Sequence, residues 1–536
     1  MKKLKLVCVA IAMAGAAPTF AGGLLTNTNQ HVAFNRMMSR EASIGIDGVY
    51  YNPAGVVFMG EGHHLAINWQ LAYQTRTINN DYKLFTNNVN NPITPRDFKG
   101  KAFAPVIPSF QYAYNKGKWS FQANFSLTGG GGKCTFDDGL GSFEKIVSET
   151  AIAACGLAGV VDQTLGNKLG QPGMEMFTSD QAFGKTGKYS FNSYMHGRQY
   201  YYGLSAGAAY KFCDNFSAFL GVRGVYALTN YYGYVENINV GNMPLYKVLD
   251  PTKENAANIE LSCDQTGVGF TPIIGVDYKT GRWNFSAKYE FKTRIRLKNK
   301  SVNQTPSIGN LPANLANQMT GILTARYQQA GLPLEQAKQR AENTTNAVLN
   351  DPTVGATMMG LKTQFDQKLN KAIGEYEDGK KIAGDIPGYL ALGIGYSPVD
   401  AVRVNVGFHW FDDKNATSYN NRNKELKRGT LEYNAGVEVD VNKKITLSTG
   451  WQNTNYGLSD EYMDDKSFVV GSNSAAIGGV YHINKKMDLN VAYFHTFYQH
   501  KKTSETVQLA ADNSIVYNSD YTRNNNVFAV GLDINF

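Results

Sequence analysis

No stretch of this chain supplies the roughly eighteen consecutive apolar residues that a membrane-spanning helix needs. The nearest approach, Leu6 to Ala17, lies at the extreme N-terminus. Charge is scarce, at 18% of residues, and no block of like charges occurs, which excludes a nucleic-acid arm. Only 5 cysteines are present and none forms a C-x-x-C pair, so neither a thiolate metal site nor any other metal or cofactor is expected. Disorder is excluded by the opposite abundance, 32 Tyr and 28 Phe, because disordered chains lack aromatics. What remains is a polar average (mean hydropathy −0.33) with many aromatics and 54 glycines. Such a composition asks for much surface in an apolar medium without any long apolar run.

Lys2, Lys3 and Lys5 precede the apolar run, and Thr19-Phe20-Ala21 offers small residues before a cut after Ala21. Residues 1–21 are therefore expected to be a signal peptide. Its loss lowers the formal net charge from +8 to +5. Export makes disulfides possible. Cys134 with Cys155 is the one pairing considered, because both fall in one long loop while Cys213 falls in a turn on the other side.

Period-two alternation dominates the rest. Trp119, Phe121, Ala123, Phe125 and Leu127 share one face, and Ser120, Gln122, Asn124, Ser126 and Thr128 the other. Fourteen such strands are predicted, near 63–75, 104–115, 118–130, 199–212, 216–229, 265–278, 283–297, 386–397, 401–411, 429–441, 445–455, 472–483, 487–499 and 524–536. Each is as long as a tilted membrane-crossing strand, about 9–11 residues. Connections alternate between short turns, such as Cys213-Asp214-Asn215, and long loops near 131–198, 230–264 and 298–385. An even strand count with that asymmetry is the layout of a 14-stranded antiparallel transmembrane β-barrel. A closed sheet pairs every backbone polar group in lipid without leaving an edge. Helices are expected inside two loops: Phe143 to Val161, then Leu315, Met319, Ile322 and Leu323, Leu334 to Leu349, and Met358 to Ile373.

Two motifs fail on context. Gly203-Leu204-Ser205-Ala206-Gly207 matches a hydrolase elbow but lies inside an alternating strand, so no enzyme is expected. His63 and His64 face opposite sides of a strand and do not share a metal.

Residues 22–60 do not alternate. They read Gly22-Gly23-Leu24-Leu25, Ala33-Phe34-Asn35-Arg36, Glu41-Ala42, Asp47, and end in Tyr51-Asn52-Pro53-Ala54-Gly55 just before the first strand. This resembles the N-terminal segment of the FadL/TodX family of outer-membrane transporters for hydrophobic compounds. Ile386 to Tyr396, leading into Val402 to Trp410, resembles the family at a second place. The resemblance implies residues 22–61 as an N-terminal hatch, 62–536 as barrel, passive uptake of long-chain fatty acids or other hydrophobic molecules, and a monomer. It also implies the outer membrane of a Gram-negative bacterium, whose lipopolysaccharide layer blocks direct partitioning, and lateral release through a gap at a kink in the third strand. A receptor or adhesin built on the long loops, and haem or aromatic hydrocarbon uptake by the same barrel, are the alternatives.

In the hatch, Arg36, Arg40, Glu41 and Asp47 need partners inside a lumen, and Asn52, Pro53, Ala54 and Gly55 set its exit turn. Pro105 and Pro108 lack ladder donors, and Gly129, Gly130, Gly131 and Gly132 mark a bulge or bend in the third strand, so this is the expected gap. Arg223, Lys288, Lys292, Arg294, Arg296 and Arg403 fall on inward faces and are the candidates for meeting a ligand carboxylate.

Overall fold

The computed structural model describes residues 25–26, 30–306, 310–510 and 513–536. The expected signal peptide and residues 22–24 and 27–29 of the expected hatch lie outside these. One continuous antiparallel sheet closes on itself. Its wall has fourteen strands: β1 Gly62–Tyr82, β2 Arg96–Lys116, β3 Trp119–Phe136, β4 Tyr189–Cys213, β5 Phe216–Val240, β6 Ile259–Thr280, β7 Trp283–Glu290 (continued by Arg296–Gln304), β8 Tyr389–Val399, β9 Val402–Phe411, β10 Arg428–Asn442, β11 Ile445–Gly457, β12 Ser472–Asn484, β13 Met487–Tyr498 and β14 Asn513–Asn535. The barrel is sealed where β1 pairs β14, from His64 opposite Asn535 to Tyr82 opposite Tyr517.

The two faces of the wall separate as the alternation demands. Ile67, Phe121, Leu220, Phe270, Val406 and Phe528 are exposed outward, while Gln111, Asn124, Ser217, Asn434 and Gln452 are buried inward. Aromatic pairs mark the outer rim at the short-turn end, with ring centroids 4.7 Å apart for Trp119–Tyr210 and 4.3 Å for Trp283–Tyr396. Such rims are where amphipathic rings sit at a membrane interface.

Every connection at that end is a two-residue turn. The other end carries the long loops, but they are shorter than expected, at 137–188, 241–258 and 305–388. The strands run on beyond the apolar belt. There both faces are polar or aromatic, so the alternation fades, while the ladder continues through pairs such as Tyr194 stacked on Tyr234 at 5.8 Å.

The wall encloses the N-terminal segment, with short helices α1 Val32–Met37 and α2 Gly48–Tyr51. A helical cap covers the long-loop end. It is built from α3 Gly141–Leu169, a turn α4 Tyr246–Leu249, and α5 Leu311–Gln329, α6 Leu334–Leu349 and α7 Pro352–Ile373. Leu315, Met319 and Leu323 recur every fourth residue on α5 and join one apolar core with Val147, Val161 and Leu165 of α3 and Val348 of α6. Cys134 and Cys155 are free and buried, contrary to the pairing considered. Cys134 stands in β3 beside Phe136, whereas Cys155 packs in the α3 core and donates to the Phe183 carbonyl at 3.4 Å.

Two wall glycines let the N-terminal segment approach. A Cβ added at Gly436 or Gly450 would overlap the carbonyl of Met37 at the end of α1. Gly450→Val should therefore cost roughly 1–3 kcal/mol by overpacking and speed hydrogen exchange at Phe34–Met38. Gly156→Ala, where an added Cβ meets nothing within 4 Å, should leave that exchange unchanged.

Candidate functional site

The enclosed N-terminal segment is tied to the wall by ion pairs. Arg40 grips Asp47 at 2.7 and 3.1 Å, and Arg36 and Arg40 both meet Glu438 of β10. Arg36 also donates to Ser448 at 3.0 Å and Asn490 at 3.2 Å. Glu41 meets His409 Nε2 at 2.7 Å, and His409 Nδ1 meets Glu432 at 2.8 Å. Each of these buried charges thus faces an opposite one, which offsets the cost of burying it.

Asn52-Pro53-Ala54-Gly55 docks on three wall strands. Asn52 Nδ2 donates to Asp277 of β6 at 2.6 Å while its Oδ1 accepts from Gly55 N–H at 3.2 Å. The Pro53 carbonyl accepts from Gln122 of β3 at 2.7 Å, and the Ala54 carbonyl from Ser217 of β5 at 2.7 Å. A Cβ on Gly55 would collide with Asn52, so the turn needs glycine there.

Long breaks interrupt the wall's ladders, one between β6 and β7 after Glu290 and one between β2 and β3. β2 and β3 pair at Phe103–Lys133 and again at Ser109–Ser126, with no pair between. Pro105 and Pro108 lie in the unpaired part of β2, and Gly129 to Gly132 in that of β3. The flanking ladders shift register at the same level. β2 slips against β1 between Gln70 and Ala72, and β3 slips twice against β4, at Leu127/Gly129 and Gly130/Gly132. Gly130 has φ +75°, where a side chain would also strike the Gln199 carbonyl.

Three cavities lead to this break. A cap cavity of about 140 Å³ is lined by Leu157, Val161, Phe177, Leu315 and Phe365. It shares Ile146, Glu149 and Ile259 with an upper cavity of about 170 Å³. That one shares Met195, Tyr231 and Lys466 with a lower cavity of about 250 Å³, which touches both sides of the break at Ala104, Ile107, Gly130 and Gly132. The three cavities thus share lining residues from the cap to the wall, mainly apolar in the upper two and mixed polar and apolar in the lower one.

Five of the six expected ligand cations are elsewhere engaged, and the sixth, Arg294, is exposed. Arg223 forms a fork on Glu290 at 2.6 and 2.9 Å, and Lys288 meets Glu290 at 3.0 Å and the Tyr50 carbonyl at 2.7 Å. Arg403 is held by Asp440 at 2.6 and 2.7 Å. Arg294 and Arg296 do not face the lumen, contrary to expectation. β7 breaks after Glu290, and Thr293, Ile295 and Leu297 become the buried set. Arg294 is exposed, Arg296 pairs Asp385 at 2.8 Å, and Lys292 donates to the Asn415 carbonyl at 3.0 Å.

The cations that do line the lower cavity are Arg76, Arg523 and Lys466. Sequence reasoning missed the two arginines because they stand just outside the predicted strands 63–75 and 524–536. Extending the alternation by one step would have found them: Arg76 follows Gln70, Ala72 and Gln74, and Arg523 precedes Asn525 and Val527, on the inward phase.

The architecture has solved counterparts. A crystal structure of a Pseudomonas aeruginosa FadL homologue is similar with a TM-score of 0.57 and 13% identity, covering 96% of this chain and 100% of that one. The toluene transporter TodX of P. putida has a TM-score of 0.48 and 12% identity, covering 92% of this chain and 94% of its own. The toluene transporter TbuX of Ralstonia pickettii has a TM-score of 0.47 and 13% identity, covering 98% and 99%. No protein-family model matches the sequence. No curated protein matches it either. The chain has the fold of the FadL homologue over nearly its whole length, and the likeness rests on architecture.

The cap contains a proton-sensitive group. Glu375, beside Tyr376 of the upper cavity, is buried with neither carboxylate oxygen hydrogen-bonded. Burial pushes its carboxyl up from 4.5 to about 8. The folded cap therefore holds a proton that the opened loop releases, so its contribution to stability is full below about 4.5 and is lost as pH rises to about 8. Hydrogen-exchange protection at 374–388, taken relative to the intrinsic base-catalysed rate, should fall between pH 6 and pH 9, and Glu375→Gln should flatten that dependence.

Proposed function

We propose that this chain is an outer-membrane channel of the FadL/TodX type, which passes hydrophobic molecules, foremost long-chain fatty acids, without energy coupling. The observation that carries the reading is the unpaired stretch between β2 and β3, set at the end of a series of cavities that are apolar in the cap and mixed polar and apolar beside the break. In a barrel immersed in lipid, lost ladder bonds are costly unless something else is gained. A side opening into the bilayer is what an apolar solute needs, since its transfer from water into apolar surroundings is favourable by about 0.8 kcal/mol per CH₂. The fold of the FadL homologue and the outward apolar belt support the same reading.

In this account the solute crosses the lipopolysaccharide layer by docking on the helical cap of a monomer. It descends past Met195 and Tyr231 and leaves sideways between Ala104–Ile107 and Gly130–Gly132. Residues 22–61 act as the hatch that closes the axial route. Their ion pairs with Glu438 and His409 hold it, and a shift of the segment accompanies passage of the ligand.

Radiolabelled oleate and toluene uptake by a strain deleted for this gene, with and without the gene restored, tests the function. Restored uptake of at least one solute is expected, and no difference for either contradicts the reading. Gly132 tests the route. An added Cβ there meets only Ala104 Cβ, at 3.5 Å, which is ordinary contact. Gly132→Ala should keep uptake within about twofold, while Gly132→Trp should lower it roughly tenfold or more by filling the opening. Full uptake by a folded Gly132→Trp barrel contradicts lateral passage.

A further inference from the structure

The lower cavity contains a cationic pair with no carboxylate partner among the described residues. Arg76 of β1 and Arg523 of β14 stand directly opposite each other across the seam that closes the barrel. Both reach the same neutral atom. Gln74 Oε1 accepts from Arg76 Nε at 3.1 Å and from an Arg523 terminal nitrogen at 2.7 Å. Among the described residues, no carboxylate lies within 4.0 Å of either guanidinium. Lys466 adds a third cation to the cavity lining, whose described residues include no Asp or Glu.

The contrast with the rest of the lumen is sharp. Arg36, Arg40, Arg223, Lys288 and Arg403 are each paired with a carboxylate. Like charges directly opposed on neighbouring strands repel. A cation removed from water without a counter-charge is costly. The Arg523 Nε is buried with no hydrogen-bond partner, although its neighbours place rings beside it: its guanidinium lies 5.9 Å from the Phe468 centroid and 5.5 Å from that of Tyr498. Stacking of this kind fixes the plane of the guanidinium and leaves its donors pointing to a ligand. Apolar residues, among them Ile107, Phe494 and Val527, continue the cavity from the pair to the β2–β3 break.

We propose that Arg76 and Arg523 form a carboxylate site that reads the head group of a ligand whose apolar body extends toward the break. The inference rests on the channel reading and names its substrate class: hydrophobic acids in preference to neutral hydrocarbons. A carboxylate offers two oxygens in one plane, which matches two guanidinium forks facing each other. Its arrival removes the repulsion across the seam, so occupancy and barrel closure reinforce one another.

The test is equilibrium binding of radiolabelled oleate and oleyl alcohol to the full-length protein in an uncharged detergent at pH 8. The two probes carry the same chain and differ in the charge of the head. Wild type should bind oleate at least tenfold more tightly. In the Arg76→Gln, Arg523→Gln double variant the ratio should fall to about one, and Arg76→Lys with Arg523→Lys should restore part of it. Equal binding of the two probes by wild type overturns the proposal, as does a double variant that keeps the preference. The wild-type comparison needs no variant, so a misfolded mutant leaves the test intact. Failure is also separable from failure of the channel reading. Uptake of oleate or toluene without a head-group preference sinks only this site, whereas no uptake of either solute sinks the channel.

Discussion

A closed wall with a polar inner face must find a partner for every group it turns inward. That constraint organises the molecule. Fourteen strands supply rows of Asn, Gln, Ser and charged residues to a space that the N-terminal segment occupies, and the two are complementary in detail. The carboxylates of Glu432 and Glu438 on the wall wait for His409, Arg36 and Arg40, and Glu41 completes the set from the segment. Glycines at 436 and 450 open the wall where the α1 carbonyls arrive. Removing one partner would strand another in a low-dielectric interior, which is why the segment is part of the barrel's stability.

The places where the rule is broken stand out against that background. Backbone pairing lapses between β2 and β3, and charge pairing lapses at Arg76 and Arg523 among the described residues. Both exceptions border the same cavity. Local inconsistencies that a fold retains tend to mark functional sites. Under the proposed reading the two make one chemical statement: an exit through the wall, with a cationic pair set beside it.

The barrel was legible because strands in such a wall announce themselves by period two and by turn residues. Fourteen strands, the alternating short and long connections, and helix α6 are found where alternation and helical spacing put them, although several strands run further and β7 stops at Glu290. The upper ends of β4 and β5 were not legible, because Tyr and polar residues occupy both faces there and hydrophobic contrast disappears. The break in β7 inverted the expected faces of Arg294 and Arg296, since a few unpaired residues shift a period-two count without any mark in composition. Pro105, Pro108 and the glycine run pointed to the interrupted ladder because both residue types act on the backbone itself. Ion pairing was the least legible feature. Which arginines are neutralised depends on strands hundreds of residues apart, as between Arg36 and Glu438.

The central claim is that an apolar ligand leaves through the wall between β2 and β3 instead of along the barrel axis. Crystals of the full-length protein soaked with a terminally brominated fatty acid would locate the ligand by the anomalous scattering of bromine. The account predicts bromine density between Ile107 and Gly132, with the carboxylate end near Arg76 and Arg523. Density along the axis beside Tyr50 and Tyr51, with the space between β2 and β3 empty, would contradict it.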